Sequence, residues 1–280
     1  MKNIEDIRIR FIGAGNMAAS IMGGLISKGI TASQITASDP GHEQRDYIEK
    51  QFQIQTFAEN NAHFGMPDMV IIAVKPQIMK QVLADVSDNI RHTHPVVVSV
   101  AAGITTKQIA AWLDSGLNTD LPIVRTMPNT PALIGHGAIG MFANHAVTTE
   151  HKQLTEQVMD AVGTSIWVTE ETNIDAVTAL SGSGPAYFFM FMQYLQQAGQ
   201  KLGLSESNAT LLAKKTAIGS ALLAERSPES LQQLKDRVTS PNGTTAAALD
   251  SFTQSHIDQV IEKAVNAAND RSVELSKEFD

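Results

Sequence analysis

Residues 11–18 read FIGAGNMA, and the three small side chains in that stretch decide how the rest of the chain is parsed. Gly13-x-Gly15-x-x-Ala18 follows a strand-like run, IRIRFIG (7–13), and opens a helix-like one, MAASIMGGLISKG (17–29). In that context Gly13 permits a tight turn, Gly15 lets the backbone approach a pyrophosphate, and Ala18 allows a helix to pack closely on a sheet. The helix N-terminus would meet the phosphates with free N–H groups and the positive end of its dipole. A plain strand-to-helix turn is the competing interpretation. Asp39, which ends the second strand-like run at about the spacing of a dinucleotide fingerprint, favours the first.

Outward from that stretch the alternation continues. ITAS (35–38), MVIIAV (69–74), VVVSV (96–100) and PIVRTM (122–127) read as strands, rich in Val and Ile and bounded by turn residues. EQRDYIEKQF (43–52), PQIMKQVLADV (76–86) and TKQIAAWLDSG (106–116) lie between or beside them and read as helices. Strand–helix alternation implies a parallel sheet with helices on both faces. The unbroken apolar character of MVIIAV and VVVSV fits strands buried on both sides. AIGMFA (138–143) and SIWVT (165–169) add two edge strands around a helix at 151–163. Past about residue 172 the pattern becomes helical only, with runs at 207–225, 228–238 and 256–279. The expected organisation is an α/β unit over residues 1–170 followed by an all-helical unit over 171–280.

Composition narrows the function. A chain of 280 residues with 43% hydrophobic side chains can build two ordinary cores. A formal charge of −8 argues against broad binding to a nucleic-acid backbone. The absence of cysteine removes disulfides, thiolate metal sites and Cys nucleophiles. The histidines form no HExxH pattern and there is no GxSxG elbow, so neither a metal site nor acyl-enzyme chemistry is expected. No signal-peptide pattern precedes Gly13, and no run approaches the ~18 apolar residues of a membrane span. The expectation is a soluble, cytoplasmic protein with no membrane or nucleic-acid partner.

Several positions carry candidate chemistry, each with a plain structural alternative. Asp39 could accept from a ribose 2′-OH and repel a 2′-phosphate, or merely cap the next helix. Lys75 and Pro76 follow a buried strand at the edge where open α/β sheets bind ligands; equally, Lys75 could be a solvated residue before a helix that starts with Pro. VAAGIT (100–105) and RTMPNTPALIG (125–135) fall at the same edge. DAVTALSGSGPAYFFMF (175–191) looks like an apolar helix broken at SGSGP, since each interior Gly costs about 1 kcal/mol and Pro roughly 3. In SPNGTT (240–245), a turn with Gly243 available for φ > 0 opens an Ala-rich helix. Its N-terminus is either an ordinary Ser/Thr cap or a seat for a carboxylate.

Taken in order, FIGAGNMA, AVKPQ, VSVAAGIT, RTMPNTPA, LSGSGPAY and LKDRVTSPNGTTAAAL make the chain resemble the pyrroline-5-carboxylate reductases along nearly its whole length. The resemblance implies a Rossmann-type dinucleotide-binding domain followed by an all-helical substrate-binding and dimerisation domain. It implies reduction of 1-pyrroline-5-carboxylate to L-proline with NADPH, NADH being the alternative reductant, by a homodimer that can assemble into a decamer of five dimers. Carried over by position, the cofactor meets Ile12, Gly13, Ala14, Gly15, Asn16, Met17, Ser38, Asn60, Ala73, Val74, Lys75, Pro76, Val100, Ala101 and Ala102, with Asp39 beside them. The substrate meets Ser240, Asn242, Gly243, Thr244 and Thr245, and the catalytic position is Thr178, whose hydroxyl faces the imine nitrogen. Arg237 and Asn242 depart from the commoner Asn and Gly of that segment, and Asp39 from the small polar residue of many NADPH-preferring members. Two alternatives stand beside this one. A β-hydroxyacid dehydrogenase would need a catalytic Lys in its helical half, and Lys201, Lys214 and Lys215 are not in that pattern. A non-catalytic nucleotide-sensing protein would need only the first motif.

Overall fold

Alternate residues of each central strand face different helix layers, which is why runs of only four residues suffice. In β1 (Ile9–Ile12), Ile9 and Phe11 belong to one buried cluster and Ile12 to the other. The computed structural model describes residues 6–114 and 120–279. The last two residues of the helix expected at 106–116 lie outside them.

The sheet continues through β2 (Ile35–Ser38), β3 (Gln55–Phe57), β4 (Met69–Ile72), β5 (Val96–Ser99), β6 (Ile123–Met127), β7 (Gly137–Ala143) and β8 (Gly163–Trp167). Its eight strands lie in the order β3-β2-β1-β4-β5-β6-β7-β8. Strands β1 to β6 are parallel, β7 runs antiparallel to β6, and β8 is parallel to β7. The short β3 was not anticipated, because Gln55-Thr56-Phe57 is too brief to show a period.

Helices α1 (Asn16–Ser27), α2 (His42–Phe52) and α5 (Thr149–Met159) cover one face, contributing Met22, Leu25, Ile48, Leu154 and Val158 to its core. Helices α3 (Pro76–Thr93) and α4 (Thr106–Asp114) cover the other with Met79, Leu83, Val86, Ile109 and Leu113. Chain direction across the sheet reverses between β1 and β4, so the carboxyl ends of those strands frame the crevice where such sheets take ligands.

The expected break at SGSGP is absent as a break. After α6 (Asn173–Val177) the chain makes a π-helical turn over Thr178–Gly182, closed by the Ser183 N–H donating to the Thr178 carbonyl at 2.8 Å. Ser183 keeps right-handed dihedrals (φ −84°, ψ −22°), and α7 (Gly184–Lys201) begins directly after it. Pro185 falls in the first turn of α7, where no N–H is required. It therefore leaves the Ser181 carbonyl free, and Asn129 Nδ2 donates to that oxygen at 2.9 Å. A Cβ on Gly182 would lie 2.5 Å from the Met127 side chain, and one on Gly140 of β7 would lie 2.6 Å from Val177. Local propensity predicted an interruption; the tertiary clamp from β6 and β7 makes it a wide turn instead.

A buried ion cluster fixes the same region. Arg125 in β6 is 2% exposed and lies 3.5 Å from both Glu171 and Asp175. Glu171 also accepts from the backbone N–H and the hydroxyl of Thr106 at the start of α4, at 2.7 and 2.8 Å. Asp175 accepts from Ser272 Oγ at 2.7 Å. Ser272 belongs to α11 (Ile257–Lys277), the last helix.

The chain divides into two compact units, one of residues 1–183 with 268–280 and one of residues 184–267. The sheet unit thus takes in α6, the π turn and the end of the last helix, beyond the expected 170. The helical unit contains α7, α8 (Glu206–Arg226), α9 (Leu231–Arg237), α10 (Thr244–Gln254) and the first part of α11. Helices α7 and α8 pack through small residues, with a Cβ on Gly199 falling 3.4 Å from Ala209. Among its described residues, Ala209 and Ala213 are the buried apolar side chains. Phe188, Phe189, Tyr194, Leu211, Leu212, Ile218, Val260 and Ile261 are all exposed. That is far more apolar surface than a solitary bundle leaves to water.

Candidate functional site

A cleft of about 1060 Å³ opens at the carboxyl ends of β1, β2, β4 and β5. Its walls are formed by Gly13, Gly15, Asn16 and Met17, by Asp39 and Asn60, by Ala73–Pro76, and by Val100–Ala102. The structure therefore gathers thirteen of the sixteen expected cofactor positions around one space, adding Glu59, Asn61 and Asp85 to its rim. Ile12, Ala14 and Ser38 are the exceptions. All three are fully buried and do not line the cleft. They back the wall instead.

The two glycines serve different purposes. Gly13 has φ +94°, and a Cβ there would strike the Ala73 carbonyl at 2.7 Å, so it is required by the fold itself. Gly15 has φ −66° and nothing within 4 Å of an added Cβ. Neither strain nor packing asks for glycine at that position; the open space lies in the cleft. Gly15 caps α1 with no side-chain hydrogen bond, and the first turn holds no acidic residue. The N–H groups of Asn16 and Met17 have no intrahelical acceptor at that point in a helix, which suits an anion. The chain's own residues therefore fit a dinucleotide diphosphate: open amides, open volume and a glycine whose missing side chain has no internal explanation.

Asp39 braces the turn without capping α2, whose N-cap is Gly41. Its Oδ2 accepts from the Ala14 N–H at 3.0 Å and its Oδ1 from the Gly41 N–H at 2.9 Å, which ties the glycine turn to the start of α2. The same residue lines the cleft. Arg45 Nη1 donates to the Asp39 and Pro40 carbonyls at 2.8 and 2.9 Å, holding the turn from the far side. Ser38 Oγ donates to Asn60 Oδ1 at 2.8 Å, so a buried hydroxyl positions a cleft-lining amide. Lys75 is the N-cap of α3 with Pro76 in the first turn, as the plain interpretation had it, and it lines the cleft as well.

One contributor escaped the sequence. Arg10, in the middle of β1, is fully buried and donates through Nη2 to the carbonyls of Asn60 and Ala62, both at 3.2 Å. Its guanidinium sits 5.0 Å from the Phe57 ring centre and 5.9 Å from that of Phe64. Burial pushes the group down to about 10, so it remains a cation at neutral pH. The available signal was a cation in a strand buried on both faces, where apolar residues are the rule.

Thr178 lies in the π turn, half-buried. Its Oγ1 donates to the Ile174 carbonyl at 2.8 Å, which commits the hydroxyl proton and leaves the lone pairs to accept. Through Asn129, just past the end of β6, the turn is tied to the carboxyl edge of the parallel strands.

In the helical unit, SPNGTT forms the turn into α10. Asn242 takes the left-handed conformation (φ +58°), while Gly243 has φ −84°, so the φ > 0 position is one residue earlier than expected. Gly243 is itself the N-cap and no side chain caps the helix, which removes the Ser/Thr-cap alternative. The amides of Thr244 and Thr245 stand in a first turn without acidic side chains. Ser240, Asn242 and Thr244 are exposed; Gly243 and Thr245 are half-buried. Among the described residues, no group of His, Asp and Glu could hold a metal ion, and no helix is long and apolar enough to cross a membrane.

Comparison with known proteins gives the following. Residues 171–275 match the family model described as pyrroline-5-carboxylate reductase dimerisation, and residues 8–103 match NADP oxidoreductase, coenzyme F420-dependent. A pyrroline-5-carboxylate reductase of Pseudomonas aeruginosa is 46% identical over 97% of this chain and 98% of its own length. The solved structure of a pyrroline-5-carboxylate reductase from Coxiella burnetii is similar with a TM-score of 0.92 at 39% identity, covering 96% of this chain and 98% of that one. That of a Plasmodium falciparum pyrroline carboxylate reductase with NADP bound gives 0.82 at 28% identity, covering 98% and 100%.

Proposed function

The chain belongs to the pyrroline-5-carboxylate reductase family, and from that premise we propose how its residues divide the work. The protein is an NAD(P)H-dependent oxidoreductase of proline biosynthesis. The reaction passes a hydride to the imine carbon of 1-pyrroline-5-carboxylate and yields L-proline. A protonated cyclic imine is already electrophilic, so the protein needs neither a metal nor a covalent nucleophile. Its task is to orient two rings and hold a carboxylate, which is proximity catalysis.

Bound NADP(H) supplies the hydride. The amides of Gly15, Asn16 and Met17 receive the diphosphate, and Asp39 and Asn60 hold the adenosine ribose. Small side chains at Ala73, Ala101 and Ala102 let a flat ring lie against backbone. In the helical unit, Thr244 and Thr245 take the substrate carboxylate at the uncapped start of α10, with Ser240, Asn242 and Gly243 shaping the turn. Thr178 acts as acceptor for the imine N–H, since its own proton is held by Ile174. The observation that carries this assignment is the open space over Gly15 inside the cleft.

The helical unit dimerises the protein. The exposed faces of α7, α8 and α11 support that role, because each large apolar side chain removed from water contributes about 1.5–3 kcal/mol. The finer assembly proposed is a decamer of five dimers working in the cytoplasm, as the family resemblance implies. Oxidation of NADPH followed by absorbance, with pyrroline-5-carboxylate as acceptor and proline as the identified product, tests the function; no oxidation above background with either NADPH or NADH refutes it.

A further inference from the structure

Arg10 has no part in the chemistry above, yet it is a buried cation in β1, and unlike Arg125 of β6 it faces no carboxylate among the described residues that would balance it. Among the described residues no carboxylate lies within ion-pairing distance of it. Among the described residues its Nε and Nη1 have no hydrogen-bond partner. A cation buried with so few partners is costly, so its retention calls for a role. What it holds is visible. Among the described residues both hydrogen bonds of its guanidinium go to the segment after β3, at the Asn60 and Ala62 carbonyls, and its flanking rings come from Phe57 and Phe64 at either end of that segment. Ala58, Glu59, Asn60 and Asn61 of the same segment form one wall of the cleft.

Asn60 is the residue gripped from two sides. Its backbone carbonyl accepts from Arg10, and its side-chain Oδ1 accepts from the buried Ser38. With Oδ1 committed, Nδ2 is the end left to donate. We propose that Arg10 is a positioning residue for the cofactor: it fixes the 58–62 segment from behind, so that the Asn60 carboxamide meets the ribose end of the dinucleotide in one set orientation. This rests on the assignment of the cleft to NADP(H).

The test compares Arg10→Met, Arg10→Lys, Asn60→Ala and the Arg10→Met/Asn60→Ala double variant in the full-length protein. NADPH affinity is read by fluorescence titration, and KM for NADPH, KM for pyrroline-5-carboxylate and kcat by steady-state kinetics. Arg10→Met should weaken NADPH binding about tenfold, the scale of one lost hydrogen bond, while kcat and the imine KM change less than about twofold. Arg10→Lys, which keeps a buried cation but lacks the planar fork that reaches both carbonyls, should recover only part of the loss. The double variant should bind no worse than Asn60→Ala alone, because Arg10 acts through Asn60. If Arg10→Met fails to fold, the Lys variant decides: an affinity between wild type and Asn60→Ala supports the proposal, and wild-type affinity overturns it. Additive losses in the double variant, or lowered melting temperature with unchanged NADPH affinity, also overturn it. Wild-type NADPH affinity in Asn60→Ala would instead remove the cleft assignment on which the proposal stands.

Discussion

At Asp39 one carboxylate serves the turn and lines the cleft, and substitution should test both functions. Asp39→Ser removes a charge that opposes a 2′-phosphate, so the ratio of kcat/KM for NADPH to that for NADH should rise. The same change strips the acceptor from the Ala14 and Gly41 amides. Hydrogen bonds to charged groups are worth about 1.5–3 kcal/mol, so affinity for both cofactors should fall together. A steady-state comparison of the two cofactors checks this; an unchanged ratio would leave Asp39 as a turn residue only. Thr178→Val should reduce kcat by roughly twofold to tenfold, the worth of about 0.5–1.5 kcal/mol for a hydrogen bond made in the reacting complex. NADPH affinity should stay as it is, and unaltered turnover would make Thr178 a structural neighbour. Thr178 came only from the family resemblance, whereas sequence spacing singled out Asp39 because strand ends and glycine turns are local features. It missed Arg10 because a buried cation contradicts the very pattern by which a strand is recognised.

At the scale of elements, the strands buried on both faces and the long helices were legible because their period is written into a few consecutive residues. The π turn was not. Its geometry depends on Asn129, Met127 and Gly140, which lie about forty to fifty-five residues upstream in sequence and supply what SGSGP lacks by itself. Likewise, the left-handed residue of SPNGTT proved to be Asn242, since Asn tolerates that conformation and Gly243 is needed as an open cap. The uncapped start of α10 yields a prediction of its own. Thr245→Val should raise KM for pyrroline-5-carboxylate several-fold or more, in keeping with about 1.5–3 kcal/mol for a hydrogen bond to a charged group. Inhibition by proline, which carries the same carboxylate, should weaken in parallel, and NADPH titration should be unaffected. If substrate KM and proline inhibition both hold at wild-type values, the carboxylate binds elsewhere.

For the whole molecule, the two units differ in how they meet water. The sheet unit buries its apolar residues in two layers, whereas the helical unit leaves Phe188, Phe189 and their neighbours uncovered. Sedimentation at micromolar concentration should therefore show no monomer, and a fully active monomer would contradict the dimeric reading. The central claim, that the cleft over the glycine turn holds the dinucleotide, is tested most directly at Gly15. Its backbone dihedrals suit any residue and an added Cβ meets nothing within 4 Å, so Gly15→Val should leave folding, melting temperature and assembly intact. The measurement is a fluorescence titration of that variant with NADPH. The account predicts that binding falls by about a hundredfold or more, as the branched side chain fills the space of the diphosphate and its burial there would cost about 3 kcal/mol of lost contacts. A folded, dimeric Gly15→Val protein that binds NADPH with wild-type affinity would contradict it.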